Sequence, residues 1–574
     1  MDKTSWDHET DFVVVGAGTA GCVLANRLSA DAATRVLLLE AGGSDAHPLV
    51  RMPVGFTRVV QRRALNWGYA SEPEPALGGR VVPVPRGRVL GGSSSINGMF
   101  HIRGDRRDFD DWAAAGCTGW GYSDVLPYFL RSESNWRGAG PFHGGDGPLQ
   151  VRAIDERHLL AEPLRAAARE AGHHVNEDYD GARHDGIARG DVAIDGHGRR
   201  HSSARAYLRP VRDRANLQVW THALTRRVLV EDGRAVGVEL ERGGRVWRVR
   251  ARREVVLCAG AYGSPQLLLL SGIGPGEELQ RLGIAVRQAL PGVGANLIEH
   301  PRMPLQFQAL QPLTFLRQLR LDRAVLSVLR WAFTGRGPFA TQVCNGTVLL
   351  KSDPADPALD RPDIQLLCNP VRLDARLWFP LVAPGQPHAF YVTVCQLYAR
   401  SRGRVTLRSA DAREAPRIAL NLFSDPRDFA TMRAGLRAAR GLYRQPALAG
   451  LVGAEMLPGA DLRSDAELDD AIRALGGITH HPVGTCAMGT GPAAVTDPQL
   501  RVRGVAGLRV ADASVMPDIV GGNTNAATLM IAEKAADLIL GRPAPPRAEL
   551  DAALGAGQGA GTTPGKVRPA PQGV

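Results

Sequence analysis

The chain has 574 residues, is 44% hydrophobic and 22% charged, and carries a formal net charge of +11. That length exceeds what one hydrophobic core sustains, so at least two domains are expected. The arginines are scattered through every segment, which argues against nucleic acid as a partner. Seven cysteines with no C-x-x-C spacing point to a reducing compartment rather than a disulfide framework or a zinc cluster. No apolar run approaches the ~18 residues of a spanning helix. The first strand begins at residue 12, so no secretory signal and a cytoplasmic location are expected.

The first readable unit is residues 11–42. Phe12 to Val15 is a continuous apolar run, as in a strand buried on both faces. Gly16, Gly18 and Gly21 follow at G-x-G-x-x-G spacing, and Leu24, Ala25 and Leu28 continue with helical period. A second apolar strand, Arg35 to Leu39, ends on Glu40, 19 residues past the third glycine (40 − 21). Glycines at this spacing allow a tight turn and close backbone approach, so a pyrophosphate can sit on the helix N-terminus while the acid reaches a ribose hydroxyl. The unit predicts a bound adenine dinucleotide.

Next come a loop-rich stretch and residues 86–98, RGRVLGGSSSING, whose paired glycines and serines suit an anion or ring edge, or a plain structural turn. Residues 217–260 alternate as strands, with Asp232-Gly233 as a hairpin turn. In 260–274, GAYGSPQLLLLSGIG, Ser264-Pro265 reads as N-cap and first residue of an apolar helix. Residues 301–400 mix both patterns. Within them 316–333 reads as a basic amphipathic helix: Leu321, Val325, Val328, Leu329 and Ala332 share one face, with Arg317, Arg320, Arg323 and Arg330 on another. Such a helix packs on its own domain or touches an anionic membrane. A strand-turn element follows from 401 and a helix over 428–443. THHPVGTCAMG (479–489) and GGNTNAATLMIAEK (521–534) then place a histidine and an asparagine 44 residues apart (525 − 481), a polar pair suited to one pocket. The His480-His481 doublet lacks further metal ligands nearby, so no metal is expected. The Gly/Pro-rich end, 553–574, reads as a disordered tail.

Together these segments resemble the glucose-methanol-choline (GMC) oxidoreductase family, from about residue 11 to residue 541, specifically its choline- and alcohol-dehydrogenase-like bacterial members. The resemblance implies non-nicotinamide chemistry: the dinucleotide is FAD. It implies an α/β fold (α+β overall), a doubly wound FAD-binding domain beside a substrate domain built on an antiparallel sheet flanked by helices. Residues 11–303 would form the FAD-binding region, 304–400 a substrate-domain segment, and 401–541 a C-terminal region completing the substrate domain and active site. Gly16, Gly18, Thr19, Ala20, Gly21 and Glu40 would hold the pyrophosphate and adenosine ribose. Gly92, Ser93 and Asn97 would line the flavin, with Asp512 and Ala513 close to the ribityl chain and pyrophosphate. His481 matches the base and Asn525 its partner, so the implied reaction is oxidation of an alcohol CH–OH group with hydride transfer to flavin N5.

Departures from the family pattern carry expectations too. Ile96 stands where some members attach FAD through a histidine, so FAD is expected to be non-covalent. His101 replaces an aromatic residue or alanine, and His480 replaces an aromatic residue. Glu299-His300-Pro301 reads as structural. A dehydrogenase using a quinone or another carrier is favoured over an oxidase using dioxygen, the acceptor itself not being legible, and a hydroxynitrile lyase that keeps FAD without redox turnover is the third reading. Peripheral contact with the inner membrane is compatible with the 316–333 helix. Which alcohol reacts, and the oligomeric state, are not legible.

Overall fold

The computed structural model describes residues 5–550 apart from Leu381, together with Leu554; the expected tail thus lies, except for Leu554, outside the described residues. In chain order, β1 (His8–Val15), α1 (Thr19–Leu28) and β2 (Val36–Leu39) open the nucleotide half. After a stretch that holds the helices Arg106–Ala114, Tyr122–Ser132 and Ala161–Glu170 and several short strands come β3 (Leu217–Trp220), β4 (Ala223–Glu231), β5 (Arg234–Arg242), β6 (Arg245–Leu257) and α2 (Gly260–Leu270). The second half contributes β7 (Pro301–Ala309), α3 (Leu321–Thr334), β8 (Gly346–Leu350), β9 (Ile364–Asn369), β10 (Ala389–Gln396), α4 (Pro426–Tyr443) and β11 (Val452–Leu457). The chain then returns to the first half with β12 (Leu508–Val510) and α5 (Asn525–Leu540).

The nucleotide sheet runs β3-β2-β1-β6-β5-β4, with β12 also paired to β6. β1, β2, β3, β6 and β12 are parallel, and β4 to β6 form an antiparallel meander. β6 makes both arrangements possible. Its 13 residues reach far enough that the first part pairs with β5 while Val255–Leu257 lies between β1 and β12. The central strands are apolar throughout because both faces are covered: Phe12 to Val15 and Val36 to Leu39 are all buried. α5 lies against α1 and is buried on nearly every side. Its buried Glu533 is matched by Arg27 at 2.7 Å, Arg131 at 2.9 Å and the Tyr207 hydroxyl at 2.9 Å, so the acid is paired and pins α5 to α1.

The second sheet runs β11-β7-β10-β9-β8, continues through Gly186–Ala188 and Val175–Asn176, and also pairs Gly477–Ile478 with β7. It is antiparallel except at its last pair. Its two faces differ. Met303, Leu305 and Phe307 pack with Val392, Val394 and Leu366 into an apolar layer shared with Met432, Leu436 and Ala439 of α4. The alternate positions, among them Arg302, Tyr391, Thr393, Leu367 and Asn369, turn toward a large cavity. Period-two alternation thus builds core on one side and a lined cavity on the other.

Sheet membership does not follow the divisions expected from sequence. Residues 175–188 supply two short strands to the second sheet, although they lie inside 11–303. Residues 508–510 and 525–540 belong to the nucleotide half. Strands of two or three residues carry no readable period, and their pairing is decided by long-range hydrogen bonds.

α3 begins at Leu321 rather than at the expected residue 316. It is a helix, but the buried side is Ala324, Ser327 and Trp331, with the Trp331 indole donating to Gly198 O at 2.7 Å. Leu321, Val325, Val328 and Leu329 remain exposed, and Phe333 is 85% exposed. His101, the unexpected residue of the serine-loop region, is buried within a charged network: its Nε2 lies 2.8 Å from Glu133, which also binds Arg103 at 2.7 Å and His143 at 3.0 Å. Burial pushes Glu133 up, but the Arg103 charge and the two histidines outweigh it and hold the carboxyl well below its usual range.

Candidate active site

A cavity of about 1140 Å³ runs from the nucleotide sheet to the second sheet. At the nucleotide end, Gly16 adopts φ +100, and a Cβ there would meet Cys258 O at 2.6 Å. A Cβ on Gly92 (φ +53) would meet Gly18 Cα at 2.7 Å, so the two glycine loops approach each other at backbone distance. α1 begins at Thr19 with no side-chain cap from Gly18 and no acid in its first turn. Its leading N–H groups therefore suit a pyrophosphate. Gly16, Gly18, Thr19, Ala20 and Glu40 line the cavity, as do Gly92, Ser93, Asn97, Asp512 and Ala513. Gly21 does not. A Cβ there would meet Gly16 O at 1.8 Å, so its lack of a side chain lets α1 close on the turn.

Glu40 is buried and accepts from Ala17 N at 3.0 Å and Gly42 N at 2.8 Å, leaving each oxygen a further lone pair. Burial raises its pKa to about 7 against these donors. The Asn97 amide oxygen accepts from Arg200 at 2.8 Å and Met99 N at 3.0 Å, which fixes its orientation. Ile96 lines the same wall and offers no nucleophile for a covalent link.

The α2 segment differs from the expected cap. The helix starts at Gly260, so Ser264 and Pro265 lie inside it. Pro265 has no N–H, which leaves Ala261 O without its intrahelical donor, and the Thr485 hydroxyl donates to that oxygen at 2.7 Å. Ser264 Oγ donates to Asp512 at 2.6 Å, and Gly260 N donates to the same carboxylate oxygen at 2.9 Å. Asp512 thus joins the start of α2 to the segment after β12.

At the far end stands His481. Its Nδ1 lies 3.1 Å from Thr479 Oγ1 and 3.0 Å from His300 Nδ1, and its Nε2 lies 3.1 Å from Asn523 Nδ2. These contacts assign the tautomer. The Thr479 hydroxyl donates to His300 O at 3.1 Å, so its lone pairs are free to accept from His481 Nδ1–H. Nε2 then carries the lone pair and faces the Asn523 amide N–H. Burial, then the neighbouring His300, His480 and Arg86, hold the His481 pKa well below the usual imidazole value, so the ring is neutral at neutral pH.

Asn525, expected as the partner of His481, is not the residue placed there. It is the first residue of α5, and its Oδ1 accepts from Thr19 Oγ1 at 2.8 Å. Asn523, two residues earlier in the loop, meets His481 instead. Glu299 and His300 also matter more than a structural reading implies. Both are fully buried beside His481, and the Glu299 carboxylate accepts from the backbone N–H groups of His481 and His300. Their signal in the sequence was a Glu-His-Pro at the head of β7, with nothing local to tie it to residue 481. His480 lines the cavity at φ +68, its Nδ1 is buried without a hydrogen-bond partner among the described residues, and Arg86 holds its carbonyl at 2.7 Å.

Comparison with known proteins bears on the whole chain. The GMC oxidoreductase family matches residues 10–302 with its N-terminal part and residues 399–532 with its C-terminal part. The chain is 41% identical to the oxygen-dependent choline dehydrogenase of Rhizobium etli (strain CIAT 652) over 536 residues, 93% of this chain and 96% of that one. It is 42% identical to the protein of the same name in Sinorhizobium medicae (strain WSM419), with the same coverage. Among solved structures, pyridoxine 4-oxidase from Mesorbium loti superposes with a TM-score of 0.83 at 31% identity, covering 93% of this chain and all of that one. Formate oxidase gives 0.86 at 27%, covering 94% and 99%. The chain belongs to the GMC oxidoreductase family, and it is an FAD-dependent oxidoreductase that acts on alcohols.

Proposed function

We propose that His481 is the proton acceptor and Asn523 the hydroxyl-orienting group of this alcohol oxidation. The observation that carries the reading is the placement of His481 on the cavity wall, with Nδ1 3.1 Å from Thr479 Oγ1 and Nε2 3.1 Å from the Asn523 amide. FAD, when bound, supplies the hydride acceptor. Its adenosine and pyrophosphate end would rest on the glycine turn, Thr19, Ala20 and Glu40, with Gly92, Ser93, Asn97, Asp512 and Ala513 at the rest of the cofactor. The chain's own work is to hold the carbinol oxygen and take its proton at His481 Nε2. Asn523 donates to that oxygen without competing for the proton, because an amide has no basic site near neutrality. Anaerobic mixing of the holoenzyme with primary, aromatic and quaternary-ammonium alcohols tests the assignment: a dehydrogenase or oxidase bleaches its flavin, and a lyase does not.

We assign the electrons to a quinone in preference to dioxygen, by contact of α3 with an anionic bilayer. Leu321, Val325, Leu326, Val328, Leu329 and Phe333 of α3 are exposed, with Arg317, Arg323, Arg330 and Arg336 around them. Among the described residues no helix is long and apolar enough to cross a membrane, so the contact is peripheral. Leu321, Val325, Val328 and Leu329 also line the cavity, which puts the lipid-facing helix at its edge. Sedimentation with phosphatidylglycerol vesicles, absent with phosphatidylcholine and reduced in a Leu326→Asp/Phe333→Asp variant, supports this reading. Reoxidation of reduced flavin faster by dioxygen than by a soluble quinone overturns the acceptor.

A further inference from the structure

The substrate end of the cavity is lined by Arg302 and Arg86, and the Asp374 carboxylate that also lines the cavity is paired with Arg372. Arg302 sits at the head of β7, opposite Cys395, and so shares a sheet face with Tyr391, Thr393 and Asn369, all of which line the cavity with His480 and His481. Its Nε donates to Ile478 O at 2.8 Å, two residues before His480, and Nη1 stands 3.4 Å from the Tyr391 hydroxyl. The remaining donors of the fork have no ion-pair partner among the described residues. Arg86 donates to Pro85 O and His480 O, and its charge also acts on the buried Glu299 carboxyl, so of the two arginines Arg302 is the one left open. Both arginines lower the proton affinity of His480, after burial, so their field reaches the wall beside the base.

The acids of the cavity are committed elsewhere. Glu40 is at the nucleotide turn, Asp512 is taken by Gly260, Ser264 and Ser514, and Asp374 pairs with Arg372 at 2.9 Å. Glu299 is near His481, but it accepts from backbone N–H groups and does not line the cavity. A quaternary ammonium group is recognised by an aromatic cage or a carboxylate, and here it would be desolvated beside two guanidinium groups. An oxyanion would satisfy the open fork of Arg302 and accept from the Tyr391 or Thr393 hydroxyl.

We propose that Arg302 determines substrate specificity, and that the alcohol oxidised here carries an oxyanion, a carboxylate or phosphate, which Arg302 binds while the carbinol meets His481. The proposal rests on the alcohol-oxidising assignment above. The reaction itself is unchanged: the carbinol carbon gives up a hydride, the hydroxyl gives up its proton to His481, and an aldehyde bearing the same anion leaves.

The test uses the holoenzyme and a matched set: 4-(hydroxymethyl)benzoate, 4-(hydroxymethyl)phenyl phosphate, 4-(hydroxymethyl)benzamide and choline, followed by anaerobic flavin reduction. The expected result is an anionic member with kcat/KM at least about tenfold above the amide, most of it in KM, and choline the poorest; the two anionic arms tell carboxylate from phosphate. In Arg302→Gln the ratio of anion to amide falls by roughly 10- to 100-fold, Arg302→Lys keeps part of it, and Arg302→Glu turns the preference toward choline. Benzoate, which has no hydroxyl to oxidise, gives an independent reading: it perturbs the flavin spectrum of the wild type, and its Kd weakens by a similar factor in Arg302→Gln. Choline outpacing both anions in the wild type, or an unchanged anion-to-amide ratio together with unchanged benzoate Kd in Arg302→Gln, overturns the proposal. If no alcohol bleaches the flavin, the alcohol-oxidising assignment at His481 fails, and benzoate binding still decides the role of Arg302.

Discussion

The two ends of the cavity are built by different means. At the nucleotide end the working parts are backbone: Gly16, Gly18 and Gly92 bring main chains within reach of one another, and α1 presents uncapped N–H groups. At the substrate end they are side chains gathered from four segments, with Arg302 from β7, Tyr391 and Thr393 from β10, and His481 and Asn523 from two loops near the C-terminus. A backbone site tolerates no added atom but asks little of side-chain chemistry. A side-chain site has the reverse sensitivity, so cofactor retention and catalytic rate should separate cleanly by mutation.

The largest separation is expected at His481. His481→Ala should slow flavin reduction by roughly 10²–10⁴-fold with FAD still bound at full stoichiometry, measured by anaerobic stopped flow and by absorbance. Gly21→Ala should do the opposite. Its Cβ would lie 1.8 Å from Gly16 O, so α1 must move off the turn. Destabilisation of about 3 kcal/mol and loss of bound FAD are expected; a Gly21→Ala protein with normal flavin content and melting temperature would break the comparison. The two asparagines sharpen it further. Asn523→Ala should lower the reduction rate about 10- to 100-fold, whereas Asn525→Ala should leave the rate within about threefold and act on stability through the lost Thr19 bond. Equal kinetic effects would return Asn525 to the catalytic role.

Smaller effects are expected from Thr485→Val and from pH. Thr485→Val removes the donor to Ala261 O and should cost about 1–2 kcal/mol, read by chemical denaturation, with the reduction rate retained. For pH the sign follows from the lowered His481 value. The folded ring binds a proton less readily than the unfolded one, so the competent neutral form persists below pH 6.5, and this group's contribution to stability is complete above that pH and lost as pH falls below it. The reduction rate of the wild type should therefore show no loss between pH 8 and 6.5 through this group; a decline in that window that His481→Ala abolishes would contradict the assigned burial.

Legibility followed the same division. The glycine turn, its two flanking strands and Glu40 were readable because each is encoded within about 30 contiguous residues by period and spacing. The helix over 426–443 was readable for the same reason, apart from its first two residues. The start of α2 was misplaced because Ser264-Pro265 matches a helix N-terminus locally, and only Thr485, more than 200 residues away, explains how a proline is accommodated inside the helix. The resemblance points to Asn525, whereas Asn523 meets His481, because sequence does not report which way a loop residue turns. The periodicity of α3 is readable, but not which side is covered: Trp331 anchors to Gly198 O, and the aliphatic stripe is left outside.

By itself the sequence determined the family, the cofactor type, the histidine expected to act as base and the existence of two structural halves, since these reside in short motifs whose chemistry depends on neighbours along the chain. The tertiary structure alone decided which asparagine meets His481, that Glu299 and His300 lie against it, and that Arg302 lines the same cavity. Those are relations between side chains brought together by strand register and loop direction. Both depend on hydrogen bonds between segments hundreds of residues apart, and no local pattern records them.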